Sequence, residues 1–134
     1  MSVLAFPLFL RNVLRADAAS SLGCGALQVA FTGALVPLLG LSPALLLQTG
    51  WFMLAYGAAI AYLSSRQPLP RTLVWLVVAG NLGWAVACVG LLVSGQVQPT
   101  SLGIAYVALQ AVTVAVLAEL QFSGLRATAQ HAAW

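Results

Sequence analysis

Four long apolar stretches constrain this chain more than any other feature, because Glu119 is the only charged residue within them. They cover residues 18–41, 44–63, 72–93 and 101–120. An α-helix needs about 20 apolar residues to cross a hydrocarbon core of about 30 Å. Each stretch is apolar on all sides, which argues against the alternating strands of a membrane barrel. The sequence therefore predicts an all-α membrane protein with four transmembrane helices.

The composition excludes several other classes of protein. Charged residues make up 5% of the 134 residues and hydrophobic residues 62%, whereas about a quarter of an average soluble domain is charged. Five arginines and two acids cannot cover a domain of this size with a polar shell. A soluble globular domain, a disordered chain and a nucleic-acid-binding module are therefore excluded, and we expect the lipid bilayer to be the main partner.

The links between the apolar stretches are short, which predicts the arrangement of the helices. Short links make consecutive helices antiparallel neighbours, as in an up-down four-helix bundle. No link is long enough to divide the chain, so we expect residues 1–134 to form a single transmembrane domain. Before the first span, an apolar run with Leu4, Leu8 and Phe9 precedes the first arginines. This run predicts a short N-terminal helix at the membrane interface.

The arginines predict the orientation of the chain. Two arginines precede the first span, two lie between the second and third spans, and one follows the fourth: Arg11, Arg15, Arg66, Arg71 and Arg126. The other two links carry no charge. Arginines concentrate on the cytoplasmic side of membrane proteins. We therefore expect both termini of this multi-pass protein to be cytoplasmic.

Polar side chains at depth are the candidate functional residues. Counting from the inner edges of the spans places Gln28, Asn81 and Gln110 about 14–17 Å deep, near the midplane. Tyr56 lies slightly shallower, and Trp84 shares a face of the third helix with Asn81. The pattern predicts one hydrogen-bonded layer inside the bundle. Two interpretations remain open: these amides hold the helices together, or the five residues bind a small molecule.

The two acids, Asp17 and Glu119, are expected at the inner membrane boundary. At 100° per residue, Glu119 lies about 180° around its helix from Gln110 and faces away from the amide layer.

Pro37 removes a backbone hydrogen bond near Gly33, which predicts a kink in the first span.

Small residues predict close contacts between helices. The third helix carries a stripe of them at Gly80, Gly83, Ala87 and Gly90. On the second helix, Gly57 and Ala61 allow a similar approach by another backbone.

Several motifs stand out along the chain: Leu14-Arg15-Ala16-Asp17, Asn81 with Trp84, Pro99-Thr100-Ser101-Leu102-Gly103, and Ala118-Glu119-Leu120-Gln121 with Gly124-Leu125-Arg126. In these motifs the chain resembles a group of small four-helix inner-membrane proteins of bacteria whose function is unknown. The resemblance implies four helices and a bacterial plasma-membrane location. It implies no activity and no site residues.

The sequence contains no pattern typical of an enzyme. It lacks a nucleophile paired with a base, a metal-ligand cluster and facing carboxylates. We therefore expect a non-enzymatic protein without cofactor, metal site or catalytic residues. The favoured interpretation is a self-associating or accessory scaffold, as a homo-oligomer or within a larger membrane complex. The alternative is a small-molecule binder or transporter that uses the midplane residues in an oligomer.

Overall fold

The computed structural model describes the backbone of residues 2–66 and 69–132, and the side chains of residues 8–66 and 69–127. Within these ranges the chain is all-helical and contains no strand, which confirms the predicted all-α class. The helices are α1 (Ser2–Ala30), α2 (Thr32–Leu39), α3 (Pro43–Ser65), α4 (Arg71–Ser94) and α5 (Ser101–Ala132).

Three of the helices are each long and apolar enough to cross a membrane: α3, α4 and α5. They contain the second, third and fourth predicted spans. From Leu8 onward, α1 and α2 provide a fourth span only if the two are taken together, and they are bent by 93° at the break between them. Three to four helices of the protein could therefore span a membrane.

The first predicted span, residues 18–41, is wrong in its boundaries. The helix ends at Ala30, and Phe31 adopts φ −118° and ψ 27°. The Thr32 hydroxyl donates to the carbonyl oxygens of Gln28 (2.5 Å) and Val29 (3.2 Å). It thereby satisfies carbonyls that the next turn of a continuous helix would use. The kink that Pro37 predicts in the first span is confirmed, because the bend at Phe31 lies two residues before Gly33.

The separate N-terminal interfacial helix is also not found. The helix that begins at Ser2 runs without interruption to Ala30. Leu10, Leu14 and Ala18 are spaced four residues apart on one face, and all three are buried in the bundle. This stripe extends the packed face of α1 toward the N-terminus, which explains why the segment continues the span. The Leu4 side chain lies outside the described residues.

Glycines allow α1 and α3 to pack closely and antiparallel to each other. A Cβ atom on Gly25 would lie 2.8 Å from the carbonyl oxygen of Gly50, and one on Gly57 would lie 2.9 Å from Cγ of Leu22. The predicted close approach at Gly57 is confirmed. On α4, by contrast, no atom from another described helix lies within 4 Å of the position of a Cβ on Gly83, so none of these helices packs closely on it.

The remaining contacts between helices leave a gap on one side of the bundle, between α3 and α4. α5 packs against both α1 and α4, and α2 lies against α3 and α5. The backbones of α3 and α4 come together much less, although a short link joins them. Long side chains from α3, including Phe52 and Tyr56, bridge the gap to α4. The expected close packing of all sequence neighbours therefore fails for this pair.

The core has two apolar clusters with polar residues between them. On α4, Val74 and Val78 belong to the cluster at the end of the bundle where the arginines lie, and Cys88 belongs to the cluster at the other end. Asn81 lies between the two clusters and is 1% exposed. This middle level of the bundle holds the candidate site.

Candidate functional site

The Asp17 carboxyl group lies at the centre of the described bundle and is 0% exposed. Its Oδ2 accepts hydrogen bonds from Asn81 Nδ2 and from Gln121 Nε2, each at 2.7 Å. Asn81 Nδ2 also donates to Gln121 Oε1 at 3.0 Å. Because the three residues come from α1, α4 and α5, this triangle joins three helices.

Tyr56 connects α3 to the same network. Its hydroxyl lies 3.1 Å from Asn81 Oδ1 and 3.2 Å from the Val77 carbonyl oxygen, and donates its single proton to one or the other. We call Asp17, Tyr56, Asn81 and Gln121 the polar cluster. Both amide N–H groups of Asn81 and its oxygen are used within the cluster, so its side chain is fixed in place.

The two oxygens of the Asp17 carboxyl group differ in their hydrogen bonding. Asp17 Oδ1 is buried and has no hydrogen-bond partner among the described residues, and Ser21 lies one turn further along the same face of α1. No described arginine reaches the carboxyl group; Arg11 and Arg71 instead donate to the carbonyl oxygens of Ser64 and Leu125. A buried carboxylate without a cation is costly. The site would therefore favour either a proton on the carboxyl group or a positive charge nearby.

The structure places Asp17 in the interior of the bundle, whereas the sequence predicts it at the inner membrane boundary. Arg11 meets the last turn of α3, and Asp17 follows six residues later, about 9 Å further along the helix axis. The prediction placed the inner edge at Asp17 because it began the first span there, whereas the helix begins much earlier. The other acid, Glu119, is exposed on α5, which confirms that it faces away from the core.

A second network surrounds Gln28. Tyr106 donates to Gln28 Oε1 at 2.6 Å, and Gln28 Nε2 donates to Thr49 Oγ1 and to the Leu46 carbonyl oxygen, each at 2.8 Å. Cys24 Sγ lies 3.5 Å from the Tyr106 hydroxyl. These bonds satisfy the Gln28 amide and tie α1 to α3 and α5.

The single layer of three amides is therefore not found. Gln110 forms a separate pair, accepting a hydrogen bond of 3.1 Å from Trp84 Nε1. Asn81 bonds to Asp17 and Gln121, while Gln28 bonds to Tyr106 and Thr49. The layer prediction failed because it treated Asp17 as peripheral, although Asp17 is the strongest acceptor within reach of Asn81.

Sequence analysis missed Gln121, although a signal for it was present. Gln121 follows Gln110 by eleven residues, about three helical turns, so the two lie on nearly the same face. Gln121 is 0% exposed. It was overlooked because the fourth span was ended at residue 120, whereas α5 continues beyond it.

A cavity of about 240 Å³ opens beside the polar cluster, between α3 and α4. Its walls include Ser21, Phe52, Tyr56, Asn81 and Trp84. The Phe52 ring stacks on Trp84 with centroids 5.6 Å apart and on Tyr56 with centroids 5.8 Å apart. We call this space the aromatic cavity. Its wall contains no charged side chain, and the Asp17 carboxyl group lies directly behind Asn81.

Two other cavities account for the rest of the predicted ligand residues. One of about 170 Å³ is lined by Trp84, Gln110 and Tyr106. Another of about 50 Å³ is lined by Gln28, Trp84 and Gln110. The five predicted residues are thus divided: Tyr56, Asn81 and Trp84 share the aromatic cavity, while Gln28 and Gln110 lie away from it.

Comparisons with protein-family models, with curated proteins and with solved structures gave no match. The resemblance to bacterial inner-membrane proteins therefore remains a prediction. The functional argument rests on the geometry of the polar cluster and of the aromatic cavity.

Proposed function

We propose that the protein is a non-enzymatic integral membrane protein that binds a small organic cation in the aromatic cavity. One observation carries the proposal: the buried Asp17 carboxyl group has amide donors and no balancing cation among the described residues, and Asn81, which donates to it, lines the cavity. A positively charged ligand supplies the missing charge without entering the polar cluster. In a medium of low dielectric constant, this attraction is much stronger than in water.

The aromatic rings support the same class of ligand. Trp84, Phe52 and Tyr56 form a continuous stack along the wall of the cavity. The face of an aromatic ring attracts cations, and Trp does so most strongly. Because Trp84 Nε1 is already bonded to Gln110, the indole is held in its position in the wall. The volume suits a compact ligand, since cavities for drug-sized ligands are about 300–1,000 Å³.

The location and orientation are part of the proposal. Arg11 contacts the end of α3 and Arg71 contacts α5 beside Arg126, so these arginines lie at one end of the bundle. This clustering supports an orientation with both termini in the cytoplasm, and the bacterial inner membrane enters the proposal only through the resemblance of the sequence. Asp17 then lies on the cytoplasmic side of the midplane.

Calorimetry in lipid nanodiscs tests the proposal, with benzyltrimethylammonium as the probe. We expect saturable binding to the wild-type protein that Asp17→Asn weakens about tenfold, as expected for one lost ionic interaction of about 1.4 kcal/mol. Glu119→Gln is the matched control because it removes the other acid, which is exposed. Binding no stronger than to empty nanodiscs, or equal losses in both variants, would contradict the proposal.

Self-association is a second candidate function, supported by the open stripe on α4. Gly83 and Gly90 each have no atom within 4 Å of the position of a Cβ, and Val86 between them is 72% exposed. A second copy of the helix could approach closely there, as small residues permit in membranes. Single-molecule subunit counting in liposomes tests this with Gly90, which does not line the aromatic cavity: Gly90→Leu should yield monomers, whereas an unchanged subunit number rules out the stripe as the contact.

A further inference from the structure

A second space between α3 and α4 lies closer to the end of the bundle that carries the arginines. This groove has a volume of about 330 Å³. Its walls are almost entirely apolar and include Ala59 and Leu63 from α3 and Leu73 and Leu76 from α4, with Arg66 beside them. Tyr56 belongs to the wall of both this groove and the aromatic cavity, and it marks the boundary between them.

Among the residues that the structure describes, Arg66 is the only charged one in the wall of the groove. Its guanidinium carbon lies 5.7 Å from the centroid of the Tyr62 ring, a cation–π contact that holds the side chain beside the groove. No carboxylate or carbonyl of the described residues accepts a hydrogen bond from this guanidinium, and Glu119, the exposed acid, is on α5. Its N–H donors are therefore available to a bound anion.

We infer that the groove binds one anionic phospholipid, with an acyl chain along the apolar walls and the phosphate at Arg66. The apolar walls match a hydrocarbon chain, and Leu76 is 62% exposed, so the groove opens toward lipid when α3 and α4 span the bilayer. An arginine binds a phosphate through paired, charge-assisted hydrogen bonds. Basic pockets between membrane helices recognise anionic lipids in this way. The inference is independent of the cation site.

Native mass spectrometry tests the inference on protein released from nanodiscs of phosphatidylcholine containing a minor share of phosphatidylglycerol with identical acyl chains. We expect one retained phosphatidylglycerol per chain. Arg66→Gln should lower its retention about tenfold, the effect of losing one charge-assisted contact. Arg126→Gln is the matched control, because Arg126 is equally exposed and lies 5.6 Å from the Phe122 ring centroid but does not line the groove.

A second pair of variants tests the apolar part of the site. Ala59→Phe should fill the groove and reduce retention of the lipid with Arg66 intact, whereas Ala58→Phe, on the exposed surface of α3 but outside the groove, should not. Equal retention of phosphatidylcholine and phosphatidylglycerol by the wild type would overturn the inference. Equal losses in Arg66→Gln and Arg126→Gln would also overturn it, because they indicate general attraction to the charged end of the bundle.

Discussion

Asp17 shows how strongly a single boundary affects the interpretation of a residue. If Asp17 were the last residue before a span, it would meet lipid headgroups. Because it instead lies six residues after Arg11 on a continuous helix, it is buried. Two of the three amides predicted at depth are enclosed, with Gln28 2% and Asn81 1% exposed, whereas Gln110 is half-buried. Their partners could not be predicted, because hydrogen bonding depends on how four helices are rotated and aligned.

Asn81→Leu should be more costly than expected for an amide that only links helices. It removes one of the two donors to the Asp17 carboxyl group and one of the two acceptors within reach of the Tyr56 hydroxyl. We expect a loss of about 2–3 kcal/mol in the free energy of unfolding, because a buried charged group loses a partner. Gln110→Leu, which breaks only the bond to Trp84, should cost less than about 1 kcal/mol. Unfolding by denaturing detergent from mild micelles measures both.

The Asp17→Asn background provides the control for Asn81→Leu. With a neutral residue at position 17, the loss of the Asn81 donor should cost markedly less, so the two substitutions should not be additive. Additive effects would show that the two side chains do not interact and would contradict the polar cluster.

At the scale of helices, apolar length predicts α3, α4 and α5 well because lipid-spanning segments need little else. The end of α1 depends on a local competition that hydropathy does not detect. There the Thr32 hydroxyl lies within hydrogen-bond distance of the Gln28 and Val29 carbonyl oxygens, and α2 is bent by 93° from α1. Pro37 correctly signals that the first span is irregular, but a proline does not specify at which residue the chain bends.

Gly50→Val tests the close packing of α1 on α3. Even a Cβ atom at this position would lie 3.0 Å from Gln28 Cβ and from Val29 Cγ2, so a larger side chain must push the helices apart. Overpacking of this kind costs about 1–3 kcal/mol, measured as the change in detergent-induced unfolding. Gly23→Val adds the same atoms on α1 at a position where the structure has open space, and it should be nearly neutral. Equal costs would indicate that intrinsic helix propensity, rather than packing, determines the effect.

The whole molecule combines two close-packed helix pairs with a loosely closed side. α1 with α3 and α4 with α5 form the pairs, α5 joins them, and the gap between α3 and α4 holds both the aromatic cavity and the lipid groove. The sequence predicts the membrane class and the helices, but short links alone do not show that α3 and α4 stay apart. That gap results from bulky residues such as Tyr56 between them, and it provides both proposed binding sites.

Solid-state NMR of the protein in lipid bilayers tests the central claim, that Asp17 is inside the bundle and bonded to Asn81. Asp17 is the only aspartate in the sequence, so ¹³C at aspartate Cγ labels one atom, and ¹⁵N at asparagine Nδ2 labels Asn81 and Asn12. The hydrogen bond predicts a carbon–nitrogen distance under about 4 Å and strong dipolar dephasing that disappears in Asn81→Leu. Absence of dephasing in the wild type, or its persistence in the variant, would contradict the account.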